Sequence, residues 1–281
     1  MMSLEFINEL DSIPFLADEN DTCLKMDDIC DNKKMYCISP LHGRSYVLGK
    51  TRSGRYIVSK GNGLNYSQWR FLNTGEFGND TWGLLLLQDA NRDLTIGKEV
   101  ESLGVKTNHM RRIIICSEEI TIAQTGAMLH PVLLEYDVEC PYRIEDAAFM
   151  TRDQILSEVS KWESMNTKKR TSYSLIAADV LIRNLRILHD NGILHNALTT
   201  HNYTWALELL DFEIAHSPNY PYTNEDNKRH VKDFFAREVL DVYKIIIYIA
   251  GVLHEKIDCM FLDSMFADYG FDLSQYTVII K

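Results

Sequence analysis

The chain has 281 residues, of which 46% are hydrophobic and 25% charged, a composition typical of a globular protein with a sizeable core. Its formal net charge is −11, and a surface of that sign repels phosphate backbones, which argues against nucleic acid as a partner. The N-terminus lacks the features of a signal peptide, and the longest apolar run, Val242 to Leu253, is too short to span a bilayer, so we expect a cytoplasmic protein that is not membrane-bound.

The first half of the chain is predicted to be rich in β-structure. Two runs of β-branched and aromatic residues flank an Arg-Ser-Gly turn signal and predict a hairpin from Ser45 to Lys60. The next segment, "DANRDLTIGKEVESLGV", has the apolar spacing of a helix that Asp89 would cap and Gly104 would end. Two further strands are predicted in "RRIIICSEE" and "HPVLLEYDV".

The second half is predicted to be mainly helical. Leucine and alanine residues recur at helical spacing in "SYSLIAADVLIRNLRILHDNG", which Asn191 and Gly192 would end, and a second long apolar helix is predicted from Arg237 to His254. Between them, "WALELLDF" predicts a short strand. Strands first and helices later indicate an α+β fold with two lobes, of the protein-kinase type.

This order predicts three regions. They are an N-terminal extension (1–35), a β-rich N-lobe (36–135) and a mostly helical C-lobe (136–281). The acidic extension is compatible with an extra strand, a partner-binding arm or a disordered tail.

A polar loop in the second half carries the candidate chemistry. From His195 the chain reads H-N-A-L-T-T-H-N, and Asp211-Phe212 follows nine residues after Asn202. In protein kinases, H-x-D-x-x-x-x-N supplies a base and a metal ligand, and D-F-G supplies the carboxylate that binds Mg²⁺. Taken singly, Asn202 is better explained as a turn cap and His195 as a core histidine, but their combination and order favour a metal site. Ala197 stands at the kinase base position, and a methyl group cannot accept a proton.

In this loop the sequence resembles the selenoprotein O family, protein adenylyltransferases on a kinase-like fold. The family's H-G-V-M-N-T-D-N and D-Y-G patterns align without gaps with the segments that begin at His195 and Asp211. Three other blocks keep the family's order: "LHGR" is similar to its phosphate loop, "SKGNGLNYS" to its lysine strand, and "WGLLLLQDANRDLTIGKEVESLGVK" to its acidic helix. The resemblance extends over roughly two thirds of the chain, from about residue 40 to 216.

The resemblance implies that AMP is transferred from ATP to a hydroxyl of a protein or peptide, with Mg²⁺ or Mn²⁺ as cofactor. Lys60 would contact phosphate oxygens and would be positioned by Asp93. The residues that the resemblance assigns to the nucleotide are Gly43, Arg44, Lys60, Asp93 and Arg143, and those that it assigns to the metal are Asn202 and Asp211.

Several positions depart from the family pattern. His201 replaces the catalytic aspartate, and a neutral imidazole accepts a proton about as well as a carboxylate or could attack the α-phosphate itself, so His201 is the predicted catalytic residue. Glu213 replaces a glycine, and Leu84 replaces an arginine. These departures leave open a catalytically impaired pseudokinase that binds nucleotide and acts as a partner-binding module. Ala197 argues against ordinary γ-phosphoryl transfer.

Overall fold

The structure is a computed structural model that describes residues 36–37, 45–61, 85–115, 120–121, 128–129, 131–163, 172–223 and 225–276. The chain divides into two compact units. The first unit contains the described residues up to Thr95 and Asn108–Tyr142, and the second contains Ile96–Thr107 and the described residues from Arg143 onward. The predicted N-terminal extension, 1–35, lies outside the described residues.

The first unit is built on an antiparallel sheet. Its strands are β1 (Tyr36–Cys37), β2 (Ser45–Lys50), β3 (Tyr56–Lys60), β4 (Leu85–Leu86), β5 (His109–Ile115) and β8 (Pro131–Val138), and a separate pair consists of β6 (Ile120–Thr121) and β7 (Met128–Leu129). The strands β1, β2, β3 and β8 are neighbours in that order. Strand β5 pairs with β8 along the edge opposite β3. The first two residues of β8, Pro131 and Val132, also pair with β4.

The predicted hairpin is confirmed. Strands β2 and β3 pair from Ser45–Lys60 to Lys50–Tyr56, and the turn between them contains Gly54 with a positive φ of 85°. The amide of Gly54 donates to the Thr51 carbonyl over 2.9 Å, which closes the turn. The predicted strands in "RRIIICSEE" and "HPVLLEYDV" are β5 and β8, and every residue of the central strand β8 is buried.

The helices follow the predicted order. They are α1 (Leu87–Ser102), α2 (Arg152–Glu163), α3 (Tyr173–Asp190), α4 (Glu225–Arg229), α5 (Val231–Leu253) and α6 (Cys259–Asp268), and short 3-10 segments occur at Ile144–Ala148, Thr200–Asn202 and Leu273–Gln275. Helix α1 ends as predicted before Gly104, which has a φ of 81°. It begins at Leu87, so Asp89 lies within its first turn and is not the cap, where its charge still favours the positive end of the helix dipole.

The core of the second unit lies between α3 and α5. Both predicted helices are present, although α5 begins at Val231, six residues before the predicted start at Arg237. Their facing sides are apolar at helical spacing. The fully buried side chains on them include Ala177, Ala178, Leu181, Ile182, Leu185, Leu188, Val242, Ile246 and Ile249.

The predicted strand "WALELLDF" is wrong. The chain turns between Thr204 and Leu207, where the Leu207 amide donates to the Thr204 carbonyl over 2.8 Å and Leu207 has a φ of 61°. Only isolated bridges form here, from Leu209 to Tyr203 and to Thr107. A left-handed leucine interrupts an extended run, so a regular ladder cannot continue through it.

The α+β class is confirmed: the first unit is β-rich, the second is mostly helical, and the elements follow the order of a two-lobed protein-kinase-like fold. The predicted lobe boundary between residues 135 and 136 falls within β8, and the first unit continues to Tyr142. In the part of the chain that the structure describes, no helix combines the length and apolarity needed to cross a membrane.

Substitution of Gly61, which directly follows β3, tests how closely the backbone packs at this point of the sheet. It has a φ of 98°, and a Cβ at this position would lie 2.6 Å from the Leu85 Cβ and 2.7 Å from the Val132 carbonyl oxygen. Gly54 has a similar φ of 85° but has no atom within 4 Å of such a Cβ. We expect Gly61→Ala to lower the free energy of unfolding by about 2–4 kcal/mol, and Gly54→Ala by about 1 kcal/mol, because only the former adds overlap to backbone strain. Urea unfolding measures both, and equal losses would contradict the close approach.

Candidate active site

In the first unit, the structure brings the predicted residues Lys60 and Asp93 together. Lys60 is the last residue of β3, Asp93 lies in the second turn of α1, and Lys60 Nζ is 2.6 Å from Asp93 Oδ2. Both residues are only 1% exposed, so each charge requires the other. The pair holds a buried ammonium group in a fixed position, and the assignment of both residues to a nucleotide stays a prediction.

A double-mutant cycle tests the Lys60–Asp93 pair. Lys60→Met alone leaves a buried carboxylate without its charge partner, and we expect it to lower the free energy of unfolding by about 3–5 kcal/mol. The double variant Lys60→Met/Asp93→Leu should lose less than either single variant, because it buries no unpaired charge. As a control, Lys244→Met removes the partner of Asp241 from an exposed pair and should change stability by at most about 1 kcal/mol. Additive losses for Lys60 and Asp93 would refute the coupling.

In the second unit, the polar loop begins at a buried histidine. His195 is fully buried, its Nε2 lies 2.7 Å from the Leu210 carbonyl, and its ring packs edge-on against Phe212. The amide of Ala197 donates to His195 Nδ1 over 3.3 Å. His195 therefore has a structural role, joining the start of the loop to the segment that contains Asp211.

The side-chain amide of Asn202 is bonded through its nitrogen, while its oxygen has no partner among the described residues. Asn202 is 2% exposed, and its Nδ2 donates to the Ala197 carbonyl over 2.9 Å. Its Oδ1 is buried and has no hydrogen-bond partner among the residues that the structure describes. A buried acceptor without a partner is unfavourable by about 1–3 kcal/mol, so the arrangement suits a bound cation or water.

Asp211 is held close to Asn202 along the backbone. The Leu210 amide donates to the Asn202 carbonyl over 2.9 Å, and Asp211 follows with a φ of 70°. A left-handed aspartate is strained, and it persists because its neighbours Leu210 and Phe212 are both anchored to His195. One amide oxygen and one carboxylate are hard oxygen donors of the type that Mg²⁺ prefers, so Asn202 and Asp211 fit this ion.

His201 lies beside two oxygen-bearing side chains. Its Nδ1 is 2.8 Å from Thr199 Oγ1 and 3.4 Å from Glu145 Oε2, and its side chain is 33% exposed. The predicted nucleotide residue Arg143 is 7% exposed and donates from Nη1 to the His201 carbonyl over 2.7 Å. This contact fixes the loop backbone, while a contact of Arg143 with nucleotide stays a prediction. Gly43 and Arg44 lie outside the described residues.

Glu238, which was not among the residues predicted from the sequence, anchors the loop. Glu238 is fully buried in α5; its Oε1 accepts from the Asn196 amide over 2.6 Å, and its Oε2 lies 2.9 Å from His189 Nε2. Asn196 is left-handed with a φ of 65°. Burial, together with the charge of Glu238, raises the pKa of Tyr203, which therefore stays neutral at physiological pH. The signal in the sequence is the position of Glu238 on the apolar face of α5, in helical register with Val242.

Glu145 and Thr199 were also missed, because their only signal is spatial proximity to His201. Glu145 precedes the start of the loop at His195 by fifty residues, and its charge alone is typical of a solvated surface. Thr199 lies two residues from His201, but threonine in a loop has no distinctive pattern.

Removal of the Glu238 carboxylate tests its anchoring role. We expect Glu238→Ala to lower the free energy of unfolding by about 3 kcal/mol, because the Asn196 amide and His189 lose a buried charged acceptor. Asp241→Ala on the same helix is the control, since Asp241 pairs with exposed Lys244 and Arg237, and should cost less than about 1 kcal/mol. Urea unfolding of both variants gives the comparison, and similar losses would rule out a special role for Glu238.

No family model and no curated protein matches the chain. Among solved structures it is similar to a Toxoplasma gondii specific rhoptry antigen kinase domain, with 12% sequence identity and a TM-score of 0.36. The match covers 78% of this chain and 73% of that domain. A likeness of this size supports no inference about activity or ligands.

Proposed function

We propose that the chain is a Mg²⁺-dependent nucleotidyltransferase that transfers AMP from ATP to a hydroxyl of a protein or peptide, as its resemblance to the selenoprotein O family implies. The observation that carries the proposal is the buried, unpaired Oδ1 of Asn202. The backbone carbonyl of the same residue accepts from the Leu210 amide, directly before Asp211. A cation or a water would satisfy this oxygen, and a cation would also use the carboxylate of Asp211.

Asn202 and Asp211 are the residues that would hold Mg²⁺, or Mn²⁺ in its place. The ion supplies positive charge that neutralises phosphate oxygens. The side chain of Asn202 is already oriented by its bond to the Ala197 carbonyl, so little side-chain entropy is lost on binding.

Lys60 would bind phosphate oxygens through its ammonium group. Its Nζ is fixed by Asp93, and a charge that is already ordered and desolvated binds an anion without further reorganisation. The carboxylate of Asp93 acts here through Lys60 and holds the ammonium in place.

His201 would accept the proton of the acceptor hydroxyl. As the hydroxyl oxygen forms its bond to the α-phosphorus, the bond to the pyrophosphate leaving group breaks, and the imidazole carries the proton until it passes to water. Ala197 has no group that could do this. A base at position 201 and none at position 197 supports AMP transfer over γ-phosphoryl transfer, in agreement with the resemblance.

Labelled ATP tests the proposal. The full chain is incubated with ATP and Mg²⁺ or Mn²⁺, alone and with peptides that contain Ser, Thr or Tyr, and the products are analysed by intact-mass spectrometry. We expect a mass gain of one AMP, with label retained from α-labelled and not from γ-labelled ATP. Asp211→Asn and His201→Ala should each reduce the rate by about a hundredfold or more, because they remove a metal ligand and the base.

Asp190→Asn is the matched control, since Asp190 is exposed and pairs with Arg186 on α3. It should transfer AMP at the unaltered rate. Nucleotide binding without any product, measured by calorimetry, would favour the pseudokinase. Product labelled from γ-labelled ATP would show phosphoryl transfer, and no binding at all would refute the proposed site.

A further inference from the structure

The segment that contains Glu145 is tied to the loop that contains His201. Arg143 and Thr204 form an antiparallel bridge, and the Ile144 amide donates to the Tyr203 carbonyl over 2.8 Å. The guanidinium of Arg143 donates to the carbonyl of His201 itself. These contacts of Arg143 and Ile144, which directly precede Glu145, fix where Glu145 lies relative to the imidazole.

Asp146, the neighbour of Glu145, bonds within its own turn. Its Oδ2 accepts from the Arg143 amide over 2.7 Å, and the residue is 1% exposed. Asp146 thus closes the 3-10 turn internally. Glu145, on the same turn, directs its carboxylate to His201 Nδ1 at 3.4 Å.

The two oxygens beside His201 Nδ1 differ in which tautomer of the imidazole they are compatible with. The Thr199 hydroxyl, at 2.8 Å, can donate or accept, so it fits either tautomer of the ring. An ionised carboxylate can only accept, and its negative charge favours a hydrogen on the nitrogen that faces it. Glu145 therefore selects the tautomer with the hydrogen on Nδ1, and Thr199 follows by accepting.

We propose that Glu145 is a positioning residue that holds His201 in its Nδ1–H tautomer, so that Nε2 carries the lone pair that accepts the proton of the acceptor hydroxyl. The use of Nε2 in transfer rests on the proposed function, whereas the tautomer does not. The same arrangement orients the ring, because rotation would break the contacts with Thr199 and Glu145 together.

Nitrogen NMR of the imidazole rings tests the tautomer directly. The full chain is labelled with ¹⁵N-histidine, and long-range ¹H–¹⁵N spectra are recorded at about pH 8.5, where an ordinary imidazole is neutral. The His201 signals are identified by their loss in His201→Gln. We expect the pattern of an Nδ1–H ring in the wild-type chain and in Thr199→Val, which keeps the carboxylate.

In Glu145→Ala we expect the pattern to change toward the Nε2–H tautomer, because the Thr199 hydroxyl is then free to donate to Nδ1. Glu145→Asp should restore part of the wild-type pattern, since it returns a shorter carboxylate. Asp153→Asn, an exposed acidic residue on α2, is the control and should leave the spectrum unchanged. An Nε2–H ring in the wild-type chain, or no change in Glu145→Ala, would overturn the proposal.

AMP transfer gives the second readout. Glu145→Ala should lower kcat by on the order of tenfold or more and leave KM for ATP unchanged, because the base is misplaced while the nucleotide contacts remain. A wild-type kcat in a Glu145→Ala chain whose tautomer has changed would overturn the catalytic use of Nε2. The expected tautomers without AMP transfer by the wild-type chain would refute the proposed function and support the assignment of Glu145 as the residue that sets the tautomer.

Discussion

The polar loop of the second unit depends on the buried carboxylate of Glu238. A charge with no exposure to water is tolerable only when it is fully hydrogen-bonded, and here the partners are the Asn196 amide and His189. The bond to the amide compensates for the left-handed backbone of Asn196, a conformation that an unsupported residue avoids. One residue later the Ala197 carbonyl receives the side chain of Asn202. The orientation of the unpaired amide oxygen is therefore set from α5, through two consecutive residues of the loop.

The far end of the loop is fixed by His195 in the same manner. Its ring joins Leu210 and Phe212, which flank another left-handed residue, Asp211. Asn196 and Asp211 are thus each supported by buried groups, and Leu207 is a third left-handed residue between them. Fixed positions of this kind are what the proposed cation site would require of the amide oxygen of Asn202 and the carboxylate of Asp211.

The elements that were predicted correctly are those whose signals lie within a short stretch of sequence. The β2–β3 hairpin and the ends of α1 and α3 depend on turn glycines and apolar periodicity, and both signals are local in the chain. The strand predicted in "WALELLDF" was wrong because this apolar run is buried in a tight turn. Burial of apolar residues therefore did not imply an extended backbone. The pairing of Lys60 with Asp93 was anticipated only through the ordered resemblance, and the roles of Glu238 and Glu145 were missed because their partners lie more than forty residues away.

Positions 197 and 201 differ in whether the structure uses the backbone or the side chain of the residue. The fold uses the backbone of Ala197 on both sides: its amide donates to His195 and its carbonyl accepts from Asn202. Neither of these bonds involves a side chain at position 197, so a methyl group is sufficient for both. At position 201 the opposite holds, since the imidazole is oriented by Thr199 and Glu145 while the backbone carbonyl is held by Arg143. The structure thus orients the side chain at position 201, which is the base in the proposed AMP transfer, and uses only the backbone at position 197, where γ-phosphoryl transfer would need a base.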